Sequence, residues 1–263
     1  DLLPLGYECT IFEKDHKAGG LMRTNIPSFR LPADVLDEEI YRIIDMGAEL
    51  KLNSYIDKLK PVIDEYDSVF IGTGAPKGKD LNLKGREISS ENIHIGIDWL
   101  TSIAFEHVKK IGKKVVVIGG GNTAMDCCRS ALRLGATDVK VTVRSPFSQM
   151  KASEWEIEET MEEGIPILDN TSPKEFLFDD KGKLCGVKFE KMEQVEIDGR
   201  KKMQSTGEEL TIECDDVLLA IGQENAFPWI EKDIGIEFGE WEMPVVDKLL
   251  SLIHISEPTR RYF

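Results

Sequence analysis

The feature that most constrains this chain is a four-residue apolar run, 115–118 (Val-Val-Val-Ile), followed at once by Gly119-Gly120-Gly121-Asn122-Thr123-Ala124. An unbroken apolar run of that length reads as a parallel strand buried on both faces. The next residues, 123–134, have helical periodicity and stop at Gly135, and 139–143 returns to strand. The whole is a βαβ unit with GxGxxA at its first turn. The positions of that turn differ in what they do. Gly119 permits the tight turn, Gly121 lets backbone approach a pyrophosphate, and Ala124 lets the helix sit close on the sheet. The first helical N–H groups and the helix dipole then favour phosphate charge, which places Asn122 and Thr123 among the candidate binding residues. A glycine turn that binds nothing is the competing reading, and the strand and helix on either side weigh against it.

The end of the second strand decides which dinucleotide fits, because an acidic residue there bonds a ribose 2′-hydroxyl and a basic one receives a 2′-phosphate. This chain has Arg144, with Ser145 and Lys151 close behind. NADP is therefore expected, with NAD as the alternative. An ordinary solvated surface charge competes equally with ligand binding for Lys151. A short echo occurs earlier: Leu5-Gly6 precedes a strand ending in Phe12-Glu13, as Leu134-Gly135 precedes one ending in Val143-Arg144. Glu13 then stands where a carboxylate would bond the ribose of an adenosine.

Other segments alternate in the same way. Pro32 and Asp34 open an amphipathic helix with Val35, Leu36, Ile40, Ile43 and Ile44 toward one side, closed by Gly47. Residues 69–71 read as a strand ending in Gly72-Thr73-Gly74-Ala75, and 97–111 as a helix connecting two domains. Further on come a helix over 153–163 ended by Gly164, a strand near 184–189, a polar turn at Asp198-Gly199, and a strand over 217–221 ending at Gly222. Residues 1–7 read as the tail of a helix running into a strand at 8–12, so the chain is expected to open inside a supersecondary unit. Residues 251–260, SLIHISEPTR, resemble the conceptual translation of a sequencing adapter, and 249–263 is expected to be a non-native tail.

Composition narrows the partners. With 48 acidic and 33 basic residues, a net charge of −15 repels nucleic-acid backbones and anionic lipid, so neither is expected as a partner. No apolar run approaches the roughly 20 residues that span a bilayer, and nothing at the start resembles a signal peptide, which makes a cytoplasmic location the default. The cysteines Cys9, Cys127, Cys128, Cys185 and Cys214 form no CxxC pair and no metal-spaced cluster. They are expected to be mostly small buried hydrophobes, with no metal site and no redox dithiol.

Two long motifs carry a family resemblance. Glu13-Lys14, Ala18-Gly19-Gly20-Leu21-Met22-Arg23, Ile26-Pro27 and Phe29-Arg30-Leu31-Pro32 resemble the FAD-domain signature of the glutamate synthase small-subunit family of FAD- and NAD(P)H-dependent oxidoreductases. The run from Val117 through Gly119-Gly120-Gly121-Asn122-Thr123-Ala124 to Asp126 resembles that family's NADPH-domain signature, which dihydropyrimidine dehydrogenase and ferredoxin:NADP oxidoreductase modules share. The stretches 66–75 and 214–223 resemble its two domain-crossing segments.

The resemblance implies an α/β fold with two Rossmann-like dinucleotide-binding domains. Residues 1–95 and 221–248 would form an incomplete FAD domain, and 96–220 an inserted NAD(P)H domain. Hydride would pass from NADPH to flavin N5, and electrons would leave through iron–sulfur clusters to an electron-accepting subunit or domain, such as a glutamate synthase large subunit or a ferredoxin. It further implies that Glu13 holds the FAD ribose, that Gly20, Leu21 and Arg23 line the flavin nucleotide, and that Gly74 passes beside it. Lys14 and Gly222 join the set from the matched segments. No nucleophile or acid–base pair is required, since the protein orients two cofactors.

The family's first glycine turn, its cluster-binding cysteines and its closing flavin-contacting motif are absent from these residues. As a fragment, the chain is expected to bind FAD poorly and to be inactive alone. Where the family often carries two consecutive basic residues, this chain has Arg144-Ser145. Two other readings compete: a flavin-free dehydrogenase, which would need an acid or base that His16, His94, His107 and His254 hardly offer, and a non-enzymatic nucleotide-binding module.

Overall fold

The structure is a computed structural model that describes residues 2–88, 91–197 and 200–246. In chain order its elements are β1 Thr10–Phe12, α1 Gly20–Thr24, α2 Ala33–Ile44, β2 Glu49–Lys51, α3 Lys60–Glu65, β3 Lys77–Gly78, β4 Ile93–Ile95, α4 Gly96–Ala104 and β5 Lys114–Ile118. There follow α5 Asn122–Arg133, β6 Asp138–Thr142, α6 Glu154–Glu162, β7 Ile167–Leu168, β8 Thr171–Phe178, β9 Leu184–Ile197, β10 Arg200–Glu213, β11 Asp216–Leu219 and β12 Gln223–Glu224. The chain divides into two compact units, one of Asp1–Gly20, Asp34–Lys77 and Glu224–Phe263, the other of Leu21–Ala33 and Gly78–Gln223.

The second unit is built on a five-stranded parallel sheet in the order β4-β11-β5-β6-β7. Alternation along the apolar run explains why β5 lies inside it. Val115 and Val117 face one core with Leu218, Val141, Trp99 and the apolar side of α5. Val116 and Ile118 face another, with Val217, Leu219 and Ile93. A strand whose successive side chains point to opposite faces must be apolar at every position when both faces are covered. The second face is covered by a three-stranded antiparallel sheet, β10-β9-β8, through Phe176, Leu184, Val187, Phe189 and Ile212. The unit is therefore layered as helices, parallel sheet and antiparallel sheet.

In this third layer the sequence predicts one short strand near 184–189, whereas β9 runs from Leu184 to Ile197 and pairs along its length with β10. Most of β10 is polar, so its strand state comes from cross-strand bonding and not from an apolar pattern. The Asp198-Gly199 turn, His254 and the expected tail at 249–263 lie outside the described residues.

Two expected elements differ. The helix expected over 97–111 ends at Ala104, because Glu106 takes a positive φ of 60° that no continuing helix contains. The strand expected over 69–71 does not form: Phe70 is 95% exposed, and no described residue pairs with the segment. A strand needs a neighbour as well as apolar residues. The compact second unit also takes in β4 and the strap Leu21–Ala33, both of which fall in the segments expected to bind flavin. β4 belongs there because it pairs with β11.

The first unit is smaller in its regular structure. A parallel pair, β1-β2, holds it at one point, and Leu59, Ile230 and Ile236 form its apolar cluster. On α2, Leu36 is buried while Val35 and Ile43 are exposed, so the described part of the unit covers only a fraction of that helix's apolar side.

At the amino ends of the strands in the second unit, Asp216 ties the parallel sheet together. Its carboxylate accepts hydrogen bonds from Asn92 Nδ2 (3.0 Å) and Gly112 N (2.8 Å) and meets His94 Nε2 at 3.1 Å. Burial works to raise this carboxyl, and the bonds from His94, Asn92 and Gly112 outweigh it, holding it below the ordinary carboxylate value. Asp216→Ala should therefore lower unfolding stability by about 1–3 kcal/mol, because the donors it leaves are partly buried. Urea titration at pH 7 measures this, and the deficit should shrink as the pH falls below about 4, where the unfolded-state carboxyl takes up its proton before the native one does, and vanish once the native carboxyl is protonated too.

Candidate functional site

The glycine turn lies at the carboxyl end of β5, beside the point where the sheet order reverses: β6 and β7 follow on one side of β5, β11 and β4 stand on the other. In open parallel sheets that crevice is where ligands bind. Gly119 has φ +146°, and a Cβ on it would lie 2.2 Å from the Ala220 carbonyl oxygen. A Cβ on Gly120 would lie 2.8 Å from Val143 Cγ1. At Gly121 the same construction meets nothing within 4 Å. The first two glycines are thus required by the protein's own packing, and the third leaves space that no described residue fills.

Behind the turn, Ala124 and Met125 are completely buried, so α5 rests directly on the sheet. The first bond of α5 runs from Ala124 N to Gly121 O at 2.9 Å, so the N–H groups of Asn122 and Thr123 precede it and have no acceptor within the helix. The Gly120 carbonyl accepts bonds from both Lys151 N (2.9 Å) and Ala152 N (3.0 Å). The Asn122 side-chain oxygen accepts one from Ser153 N at 2.8 Å, just before α6. The loop carrying Arg144, Ser145 and Lys151 is folded back onto the glycine turn by these bonds. Arg144 and Lys151 are exposed and form no ion pair with any described residue, although most lysines and arginines around them are paired.

The residues expected at a flavin are distributed over both units. Glu13, Lys14, Gly20 and Gly74 lie in the first, Leu21, Arg23 and Gly222 in the second. Glu13 directly follows β1 and uses one carboxylate oxygen to accept the Asp15 N–H at 3.0 Å. Gly20 and Gly74 have positive φ values of 50° and 67°, and a Cβ at Gly20 would meet nothing within 4 Å. Gly222 (φ +116°) accepts a bond from Lys79 N at 3.0 Å through its carbonyl.

One cluster lies outside the set of residues that the sequence predicts for the site. Arg30 places Nη1 at 2.6 and 2.8 Å from the two oxygens of Asp126, and Nη2 at 2.5 Å from Glu156. Asp126 stands one turn into α5, Glu156 in the first turn of α6, and both are buried. Arg129, also buried, reaches Glu156 at 3.1 Å, Glu159 at 2.7 Å and Glu163 at 2.9 Å. Burial pushes the Asp126 carboxyl up to about 6, with Arg30 pulling the other way. The only local hint in the sequence is a carboxylate set between Met125 and Cys127 on an otherwise apolar helix face. Its partner is 96 residues away, and no spacing rule links them.

The cysteines are of another kind. Cys127, Cys128 and Cys214 are buried and Cys9 partly so, as expected for small apolar residues, but Cys185 is exposed. Burial raises Cys128 and Cys214 to about 12 and Cys127 well above its usual value, so these three remain thiols and are poor nucleophiles.

A strand, glycine turn and helix of this build fit a dinucleotide-binding domain, and residues 33–254 match the family model described as pyridine nucleotide-disulphide oxidoreductase. The chain belongs to that family of NAD(P)H- and flavin-dependent oxidoreductases. It is 34% identical over 256 residues to the NADPH-Fe(3+) oxidoreductase subunit beta of Geobacter sulfurreducens, covering 94% of this chain and 38% of that protein. It is 31% identical over 250 residues to the glutamate synthase [NADPH] small chain of Halomonas elongata, covering 89% and 52%. Among solved structures, Mycobacterium tuberculosis FprA in complex with NADPH matches with a TM-score of 0.71 at 16% identity, over 88% of this chain and 66% of that one, a likeness of fold. The chain spans about half or less of the length of the curated relatives it matches.

The contrast among the glycines gives a direct test. Gly121→Val should fold with near-normal stability yet lose dinucleotide binding, because its side chain enters the open space. Gly119→Ala should cost about 1–3 kcal/mol or more in urea unfolding, since neither its φ nor the Ala220 backbone accommodates a methyl group. If both variants lost stability equally, the assignment of the open space to a ligand would be wrong.

Proposed function

We propose that the chain is a reductase module that binds NADPH on its second unit and passes reducing equivalents by way of FAD to an iron–sulfur or partner-subunit acceptor. The observation that carries the nucleotide half of this reading is the open space at Gly121, next to a Gly120 carbonyl that holds the backbone of Lys151, in a region whose exposed Arg144 and Lys151 pair with no described carboxylate. The N–H groups at the start of α5 would hold the pyrophosphate, where the helix dipole also favours anionic charge. Arg144 would take the 2′-phosphate in a charge-assisted bond, with Ser145 adding a hydroxyl and Lys151 a second cation.

For FAD the support is the family membership and the matched segments. Glu13 retains a second carboxylate oxygen for the ribose, and Gly20 and Gly74 adopt backbone conformations in which a side chain is strained. Leu21, Arg23, Lys14 and Gly222 complete the proposed set. A bound flavin accepts hydride as a pair of electrons and can release them singly, which fits an acceptor that is itself a one-electron carrier. The chain's own residues bind and orient the two nucleotides and have no proton to move. The names of the Geobacter and Halomonas relatives describe subunits, which favours a partner subunit as acceptor here. No described helix is long and apolar enough to cross a membrane, and the charge of −15 disfavours nucleic acid.

Arg144→Ala should weaken NADPH binding by about ten- to a hundredfold, the equivalent of roughly 1.5–3 kcal/mol, and leave NADH binding nearly unchanged. Calorimetric titration of both nucleotides against wild type and variant measures the ratio. Equal losses would remove the 2′-phosphate role, and nucleotide binding with no flavin uptake by the full-length protein would favour a flavin-free dehydrogenase.

A further inference from the structure

The strap Leu21–Ala33 is pinned to the second unit at three places. Asn25 Nδ2 donates to the Ile97 carbonyl at 2.9 Å, where α4 begins. The Phe29 ring lies under two guanidinium groups, Arg133 at 3.8 Å and Arg129 at 4.9 Å from its centroid. Arg30 then joins Asp126 to Glu156. With the Asn122–Ser153 bond, these contacts close a ring: α5 start, loop, α6 start, Arg30, and α5 again.

The first turn of α5, whose leading N–H groups would receive phosphate, forms one side of that ring. Asp126 is one turn from Asn122, so whatever fixes Asp126 also fixes the direction of those groups. A guanidinium held by three contacts to two buried carboxylates has one geometry, which a flexible ammonium does not reproduce. The same strap carries Leu21 and Arg23, nine and seven residues before Arg30.

We propose that Arg30 is a positioning residue that couples occupation of the glycine turn to ordering of the strap. This rests on the nucleotide reading above. A ligand seated on the first turn of α5 and a strap clamped to Asp126 both stabilise the same arrangement of that turn, so each lowers the ordering cost of the other. By linkage the effect is reciprocal: NADPH tightens the strap, and the clamped strap tightens NADPH binding.

Amide hydrogen exchange on the chain, with and without NADPH, tests this. In the wild type, NADPH should slow exchange across residues 21–31 by about fivefold or more. In Arg30→Gln the strap should exchange faster without ligand, while amides in the body of α5 stay as they were. NADPH should no longer slow the strap, and its dissociation constant should rise by about fivefold. Arg30→Lys should recover part of the protection, which a purely space-filling role would not yield. Should Arg30→Gln fail to fold, the wild-type comparison decides alone. NADPH bound with strap exchange unchanged overturns the coupling and leaves the nucleotide reading standing. If neither NADPH nor NADH binds the wild type, the nucleotide reading and the coupling fall together.

Discussion

Gly119 brings the carboxyl ends of β5 and β11 so close that a methyl group there would lie inside the Ala220 carbonyl. Much of the second unit follows from that approach. It sets β11 beside β5, buries both faces of β5, and lets the chain turn immediately into α5, whose Ala124 can then rest on the sheet without a gap. Any larger residue at Gly119 would push the turn outward and lift the helix start from the crevice. The constraint is a packing one, and the open space at Gly121 is its by-product.

The second unit is largely legible from the amino-acid sequence, and the reason is local. Strand, glycine turn, helix and strand over 114–142 each carry their own periodicity and stop signals, so β5, α5 and β6 fall within a residue or two of their expected bounds. What escapes such a reading is non-local. The polar strand β10 exists because β9 is beside it, and β4 joins the sheet because β11 is beside it. The same logic in reverse explains residues 69–71, apolar enough for a strand and yet paired with no described residue. At the candidate site, Arg144 and Ser145 are readable as polar groups just past a strand end and Lys151 as a cation in the loop behind them, whereas the clamp of Arg30, Asp126 and Glu156 depends on three segments meeting and has no signature in any one of them.

Buried ions on this scale are costly in isolation, since taking a carboxylate from water loses several kcal/mol that a single pair seldom recovers. Here the charges are interlocked: Arg30 and Arg129 each serve more than one carboxylate, and Glu156 is held from two sides. An apolar replacement of the same volume would hold the helices together as firmly, but would accept many angles between them. Directional bonds accept few. The arrangement favours one orientation of the helix start over its neighbours, which would matter for the proposed site of backbone N–H groups more than for overall stability.

The third layer has a consequence of its own. A three-stranded antiparallel sheet ending in β10 presents a long edge that no described residue pairs with, and such edges invite pairing with a second chain and, from there, aggregation. The residues along β10 answer that hazard. Lys201, Lys202, Glu208 and Glu209 load the edge with charge, and the register breaks between Ser205 and Glu209, where Gly207 takes a φ of +81°. An incoming strand would have to bury those charges and match an interrupted ladder. The polarity that hides β10 from a reading of apolar patterns is the same property that makes its edge unfavourable for an incoming strand.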